Sequence, residues 1–150
     1  MIKTRFFIGV LVVACSGLNL KAFGCGPQAA ADTEGLAGAI TVRLRAIEKA
    51  WNRGDESSIF SQYDRSMVAI LESNFLDYAH YRDTVKSMMA EASRPNMKLD
   101  INVVRPLGAR YALVNGRVHM IERSGSDQAS PFTIIYRYSG GQWMIVYAHS

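Results

Sequence analysis

The chain has 150 residues, 49% hydrophobic and 20% charged, with two cysteines and a formal net charge of +4. That length carries one domain with a core of its own rather than two, and the composition is that of a folded globular chain rather than a disordered one. Lys3, Arg5 and Lys21 fall in the first 25 residues, which hold no carboxylate; the remainder is close to neutral and offers no nucleic-acid surface.

Met1–Arg5 is a short basic stretch and Phe6–Ala14 an apolar run, followed by small residues and Cys15. This is the layout of a secretory signal peptide, and the run is too short to span a bilayer as a permanent helix. Val12-Val13-Ala14-Cys15 resembles a bacterial lipobox. That resemblance implies lipid on Cys15 and a membrane partner held through the lipid alone. The alternatives are cleavage to a soluble exported protein and retention of the segment. The expected location is the cell envelope or periplasm, and Ser16, which is not aspartate, leans a Gram-negative lipoprotein toward the outer membrane. The expected boundaries are 1–15 for the signal, 16–33 for a Gly- and Ala-rich leader or tether, and 34–150 for the domain. If Cys15 is lipidated, Cys25 is unpaired within the chain; if both survive, a disulfide closes only the leader. Neither case gives a disulfide framework or a zinc site.

From Glu34 onward Leu36, Ile40, Leu44, Ile47 and Trp51 recur at three- and four-residue steps, predicting an amphipathic helix of about five turns. Asn52-Arg53-Gly54 should end it, with Gly54 as a left-handed cap. Asp55 then reads as the N-cap of a short second helix to about Tyr63, its carboxylate taking the N–H of Ser57 or Ser58. Met67–Leu71 suits a short strand, and Glu72–Ala79 a turn with a second short strand around Phe75 and Leu76. Tyr81–Ser93 returns to helical spacing, with Tyr81, Val85, Met88/Met89 and Ala92 on one face, and stops at Arg94-Pro95. Lys98–Arg105 and Tyr111–Glu122 alternate as strands, with Ser124–Ser130 as a polar connection after them.

The last twenty residues hold the strongest local signal. Phe132–Tyr138 and Trp143–His149 flank Ser139-Gly140-Gly141, the pattern of a β-hairpin. Both parities of each run carry apolar residues, so this hairpin should lie centrally, in a sheet covered on two faces. Helices first and antiparallel strands last make an α+β fold.

Ala50-Trp51-Asn52-Arg53-Gly54-Asp55, with Gly141–Ser150 some ninety residues later, resembles the SnoaL-like members of the nuclear transport factor 2-like (NTF2-like) superfamily. Val104–Gly108 and Phe132–Arg137 are similar too, so the likeness runs over about residues 36–150. The final segment also resembles the end of the calcium/calmodulin-dependent kinase II association domain, with Tyr147 in place of a histidine and His149 kept. The resemblance implies a cone, also called a cystatin-like roll: a strongly bent, mixed, mostly antiparallel sheet wrapped around the long N-terminal helix, with a pocket at its open end. Relatives use that pocket for isomerase, lyase or hydrolase chemistry with Asp and His, or for binding or assembly, so the fold does not choose among them.

No motif of independent strength adds a catalytic assignment, and no metal or cofactor is expected. Asp77, His80 and His119 are the weak acid–base candidates, since such work needs a carboxylate or imidazole desolvated in an apolar cavity. Asn115, Arg117 and His119 share one parity of the long strand and are expected to line a polar end of the cone; the alternative is a solvent-facing strand. The resemblance gives Arg117 the place of a pocket arginine, suited to an anionic or hydroxylated ligand. Trp51, Tyr63, Ile134, Tyr136 and His149 complete the expected ligand set. The leading expectation is binding of a small, partly apolar ligand, with a small-molecule isomerase, lyase or hydrolase and a dimeric assembly module as the alternatives. The opposite parity, Val114, Val118 and Met120, is expected to form a homodimer face with Met144, Val146 and Ala148.

Overall fold

The computed structural model describes residues 28–150, with side chains from residue 34 onward. Cys15, Cys25 and the expected signal segment lie outside the described residues. The first helix, α1, spans Gln28–Arg53 and buries Ile40, Leu44, Ile47 and Trp51 along one stripe. It starts six residues before Glu34, taking in Ala29–Ala31, which the sequence reading placed in the tether. Alanine is the strongest helix former, so that run extends the helix. Gly54 ends it at φ +75°, as the sequence predicts. Helix α2, Glu56–Phe60, is capped by Asp55, whose carboxylate accepts the Ser58 N–H at 3.1 Å. It stops short of Tyr63, which opens the first strand.

The strands are β1 (Tyr63–Leu71), β2 (Asn74–Asp77), β3 (Asn96–Pro106), β4 (Tyr111–Ile121), β5 (Asp127–Ser139) and β6 (Gln142–His149), with α3 (Tyr78–Ala90) between β2 and β3. They form one sheet in the order β2-β1-β6-β5-β4-β3. Only β1 and β6 run parallel; the other neighbours are antiparallel. The C-terminal hairpin therefore occupies the two central places. Helix α3 begins before Tyr81 because Asp77 accepts the His80 N–H at 2.9 Å and fixes the first turn there.

Residues Asp127–Ser130, expected in a connection, are strand and pair with Ile121 back to Val118. The turn is shorter: the Glu122 N–H donates to the Ser126 carbonyl at 2.9 Å, with Gly125 at φ +89°. Asp127–Pro131 are all exposed, so no hydrophobic alternation marks them as a strand.

Irregularities in three ladders bend the sheet. In β1, Tyr63 and Val68 pair with Ile145 and Tyr147 of β6, so β1 carries extra residues between them. Ile101 and Val103 pair with the consecutive residues Gly116 and Asn115, leaving Asn102 as a bulge in β3. Tyr147 and Ile145 pair with Ile135 and Tyr136, leaving Val146 as a bulge in β6. Each extra residue kinks its strand and shifts its parity. The concave face so formed carries Met67, Ala69, Leu99, Val114, Phe132 and Ile145 of the buried core. Helix α1 also closes the free edge of β3. Asn52 exchanges two bonds with Met97, at 2.7 and 2.9 Å, and Trp51 Nε1 donates to the Pro95 carbonyl at 2.9 Å. Glu48 accepts the Leu99 N–H at 2.8 Å and Arg45 donates to the Leu99 carbonyl at 2.6 Å. Side chains of a helix thus satisfy an edge strand that would otherwise present unpaired backbone groups.

Candidate functional site

Between the concave face, α1 and α3 lies a cavity of about 350 Å³. Leu44, Ile47 and Trp51 of α1 form one wall, and Tyr81, Val85 and Met88 of α3 another. Val118, Met120, Phe132 and Ile134 form the sheet wall, while Glu72, Gln128 and His149 also border the space. The lining is mainly aliphatic, aromatic and thioether, the surface of a site for an apolar molecule.

The polar group set among these apolar walls is a pair of phenols. Tyr63, at the start of β1, and Tyr81, in the second turn of α3, bring their hydroxyls to 3.2 Å, with ring centroids 5.4 Å apart. Burial pushes both well away from easy ionisation: the Tyr63 phenol rises strongly through desolvation and the neighbouring Tyr81, and the Tyr81 phenol rises through desolvation. Both are neutral donors and acceptors at any physiological pH.

The expected ligand residues divide. Trp51, Tyr63 and Ile134 border the cavity, and His149 is an exposed residue of its border. Tyr136 is fully buried in the core instead and does not line the space. Among the described residues its hydroxyl has no hydrogen-bond partner, and desolvation raises its pKa against the opposing charge of Arg43.

Asn115, Arg117 and His119 correct the sequence reading, because they lie on the convex face. Their partners across the ladder, Thr133, Pro131 and Ala129, share that face. Asn115 donates to the Thr133 hydroxyl at 2.8 Å, Arg117 is exposed, and His119 stands between Asp127 (2.9 Å) and Asp100 (3.2 Å). The apolar parity, Val114, Val118 and Met120, faces the core and cavity, so it is not a free dimer face. The reason is energetic: α1 and α3 cover the concave side with apolar side chains, and a guanidinium there would lose its water without an ionic partner.

Asp77 and His80 also stand outside the cavity lining. The hydrogen bond between their side chains, at 2.8 Å, leaves them 65% and 76% exposed. Asp77 is held below the usual carboxylate range by the His80 backbone N–H and then its side chain. That is the setting of a helix cap rather than of a raised-pKa general acid. Among the described residues no three His, Cys, Asp or Glu side chains gather as a metal site would require.

The phenol pair was only half legible. Tyr63 and Tyr81 are eighteen positions apart on a strand and a helix, and no sequence spacing links such elements. Reading Tyr81 as the first apolar position of α3 placed it inward, which was the available signal.

No family profile and no curated protein matches the sequence. Solved structures do. An NTF2-like protein of unknown function from Shewanella oneidensis MR-1 is 21% identical, with a TM-score of 0.69 over 75% of this chain and 96% of that one. A second NTF2-like protein of unknown function, from Pseudomonas putida KT2440, is 19% identical with a TM-score of 0.64, covering 81% and 85%. The association domain of calcium/calmodulin-dependent kinase II from C. elegans is 13% identical with a TM-score of 0.61, covering 79% and 96%. With its curled six-stranded sheet, its helices and these structural neighbours, the chain has the NTF2-like, cystatin-like fold.

Proposed function

We propose that this is an exported, lipid-anchored domain whose cavity binds a small, largely apolar molecule. The observation that carries the binding reading is the 350 Å³ space itself, walled by Leu44, Trp51, Val85, Val118 and Phe132. The Asp and His candidates for catalysis do not stand in its walls, which favours binding over the isomerase, lyase or hydrolase reading. Export and anchoring rest on the leader sequence. Native mass spectrometry of protein purified from its own host tests the reading: a small molecule should co-purify with the wild type and be lost from Val118→Trp. Absence of any bound molecule, together with no uptake of the neutral hydrocarbon 2-ethylnaphthalene, overturns it.

A second reading, assembly, is favoured by the convex face. Val68 and Val103 are 42% and 40% exposed there, with Leu113, Ile135 and Tyr147 half-buried on the same side. Apolar side chains spread over a sheet face suit two-fold contact with a second copy. Two structural neighbours are themselves association domains. Sedimentation of residues 34–150 should give a dimer that Val68→Asp weakens; a monomer across micromolar concentrations rules this reading out.

A further inference from the structure

We infer that the ligand of the cavity is uncharged and carries a carbonyl-type hydrogen-bond acceptor, which the Tyr63–Tyr81 hydroxyl pair receives. This rests on the binding reading above and adds the chemical class of the ligand.

The argument begins with proton counting. Two phenols carry two O–H groups, and their mutual bond at 3.2 Å uses one of them. Neither oxygen has another hydrogen-bond partner among the described residues, so one O–H remains to be given away. Both residues line the cavity, and both hydroxyls are desolvated. A buried donor left unmatched is costly, whereas one matched by a ligand oxygen is favourable and fixes the ligand's orientation. The pair also strengthens its own donor, because the accepting phenol is polarised by the bond it receives.

Charge is settled by the rest of the lining. Among the described residues no lysine or arginine borders the space, and its charged or titratable side chains besides the phenols are Glu72 and His149, both exposed at its border. A carboxylate or phosphate held at the phenols would lose its hydration with no lysine or arginine to replace it, and an ammonium there would meet neutral phenols, with Glu72 and His149 left at the exposed border. A neutral ketone, aldehyde, ester or lactone oxygen needs only the donor that the pair supplies. Met88, Met97 and Met120 beside it adapt to the shape of the apolar body.

The test uses three molecules of one shape: 2-acetylnaphthalene, 2-ethylnaphthalene and 2-naphthoate. Their affinities are measured by calorimetry at pH 7.5 for the wild type, Tyr63→Phe, Tyr81→Phe and the double variant. The wild type should bind the ketone about five- to tenfold more tightly than the hydrocarbon, the worth of one net hydrogen bond. The naphthoate should bind weakest. The ketone preference should collapse in the double variant while hydrocarbon affinity is kept, with thermal melting as the folding control. Should the double variant fail to fold, the single variants carry the same comparison. Equal binding of ketone and hydrocarbon by the wild type overturns the acceptor inference and leaves the cavity reading standing. Tighter binding of the naphthoate overturns the neutral class. Failure to bind any of the three overturns both.

Discussion

The ring of Phe132 lies so close to Gly116 that a Cβ at that glycine would come within 2.6 Å of its Cζ, and would also meet the Asp100 carbonyl oxygen. The two residues are ladder partners in β5 and β4, at the middle of the concave wall. The missing side chain is what lets the aromatic ring lie across the sheet and close one side of the cavity. Gly116→Ala should therefore destabilise the domain by about 3 kcal/mol, the upper end for overpacking, since backbone stands in the way on one side. Among the described residues nothing lies within 4 Å of a Cβ placed on Gly38 in α1. Gly38→Ala should instead stabilise by up to about 1 kcal/mol through helix propensity. Urea unfolding of both variants, with the opposite signs expected, checks the contrast.

The placement of Arg117 and Val118 on opposite faces gives a second prediction. Arg117→Ala should leave 2-ethylnaphthalene affinity within about twofold of wild type. Val118→Trp should fill the cavity and remove that binding, with the fold retained by near-ultraviolet circular dichroism. Loss of binding in Arg117→Ala would place the ligand on the convex face.

Asp64 predicts the acid limb of stability. The Ser66 hydroxyl and backbone N–H, and then Arg137 at 2.6 Å, hold its carboxyl below the usual range. A depressed folded-state value contributes stability that is present above the unfolded carboxylate range, about pH 4, and is lost as pH falls through the folded value. Asp64→Asn should cost about 1 kcal/mol at pH 7 and close to nothing at about pH 2, because this ion pair is only partly screened from water. Denaturant midpoints for both proteins across that range measure the convergence.

Cys15 gives the last prediction. With wild-type protein labelled metabolically by a clickable fatty acid, label should appear on the chain and the protein should fractionate with membranes. Cys15→Ala should lose both. Unlabelled wild type, or a variant that stays with the membrane, removes the lipid anchor from the proposal.

Much of this fold could be read without coordinates, and the reason is that its signals are local. The stripe Ile40–Leu44–Ile47–Trp51, the cap at Asp55, the left-handed Gly54 and the Gly140-Gly141 hairpin each depend on neighbours a few residues away, and all four stand in the structure. Tertiary structure decided which side of each strand met the helices. The parity of β4 was plain in the sequence, but both sets of side chains had a plausible use, and only the apolar cover supplied by α1 and α3 turned Val118 inward and Arg117 outward. In β6 even the parity was hidden, because the bulge at Val146 brings Ala148 to the cavity after Ile145 has faced the core. The Tyr63–Tyr81 pair and the clasp of Asn52 on Met97 likewise join residues distant in the chain. Such contacts arise from the curvature of the sheet, and curvature is a property of all six strands together.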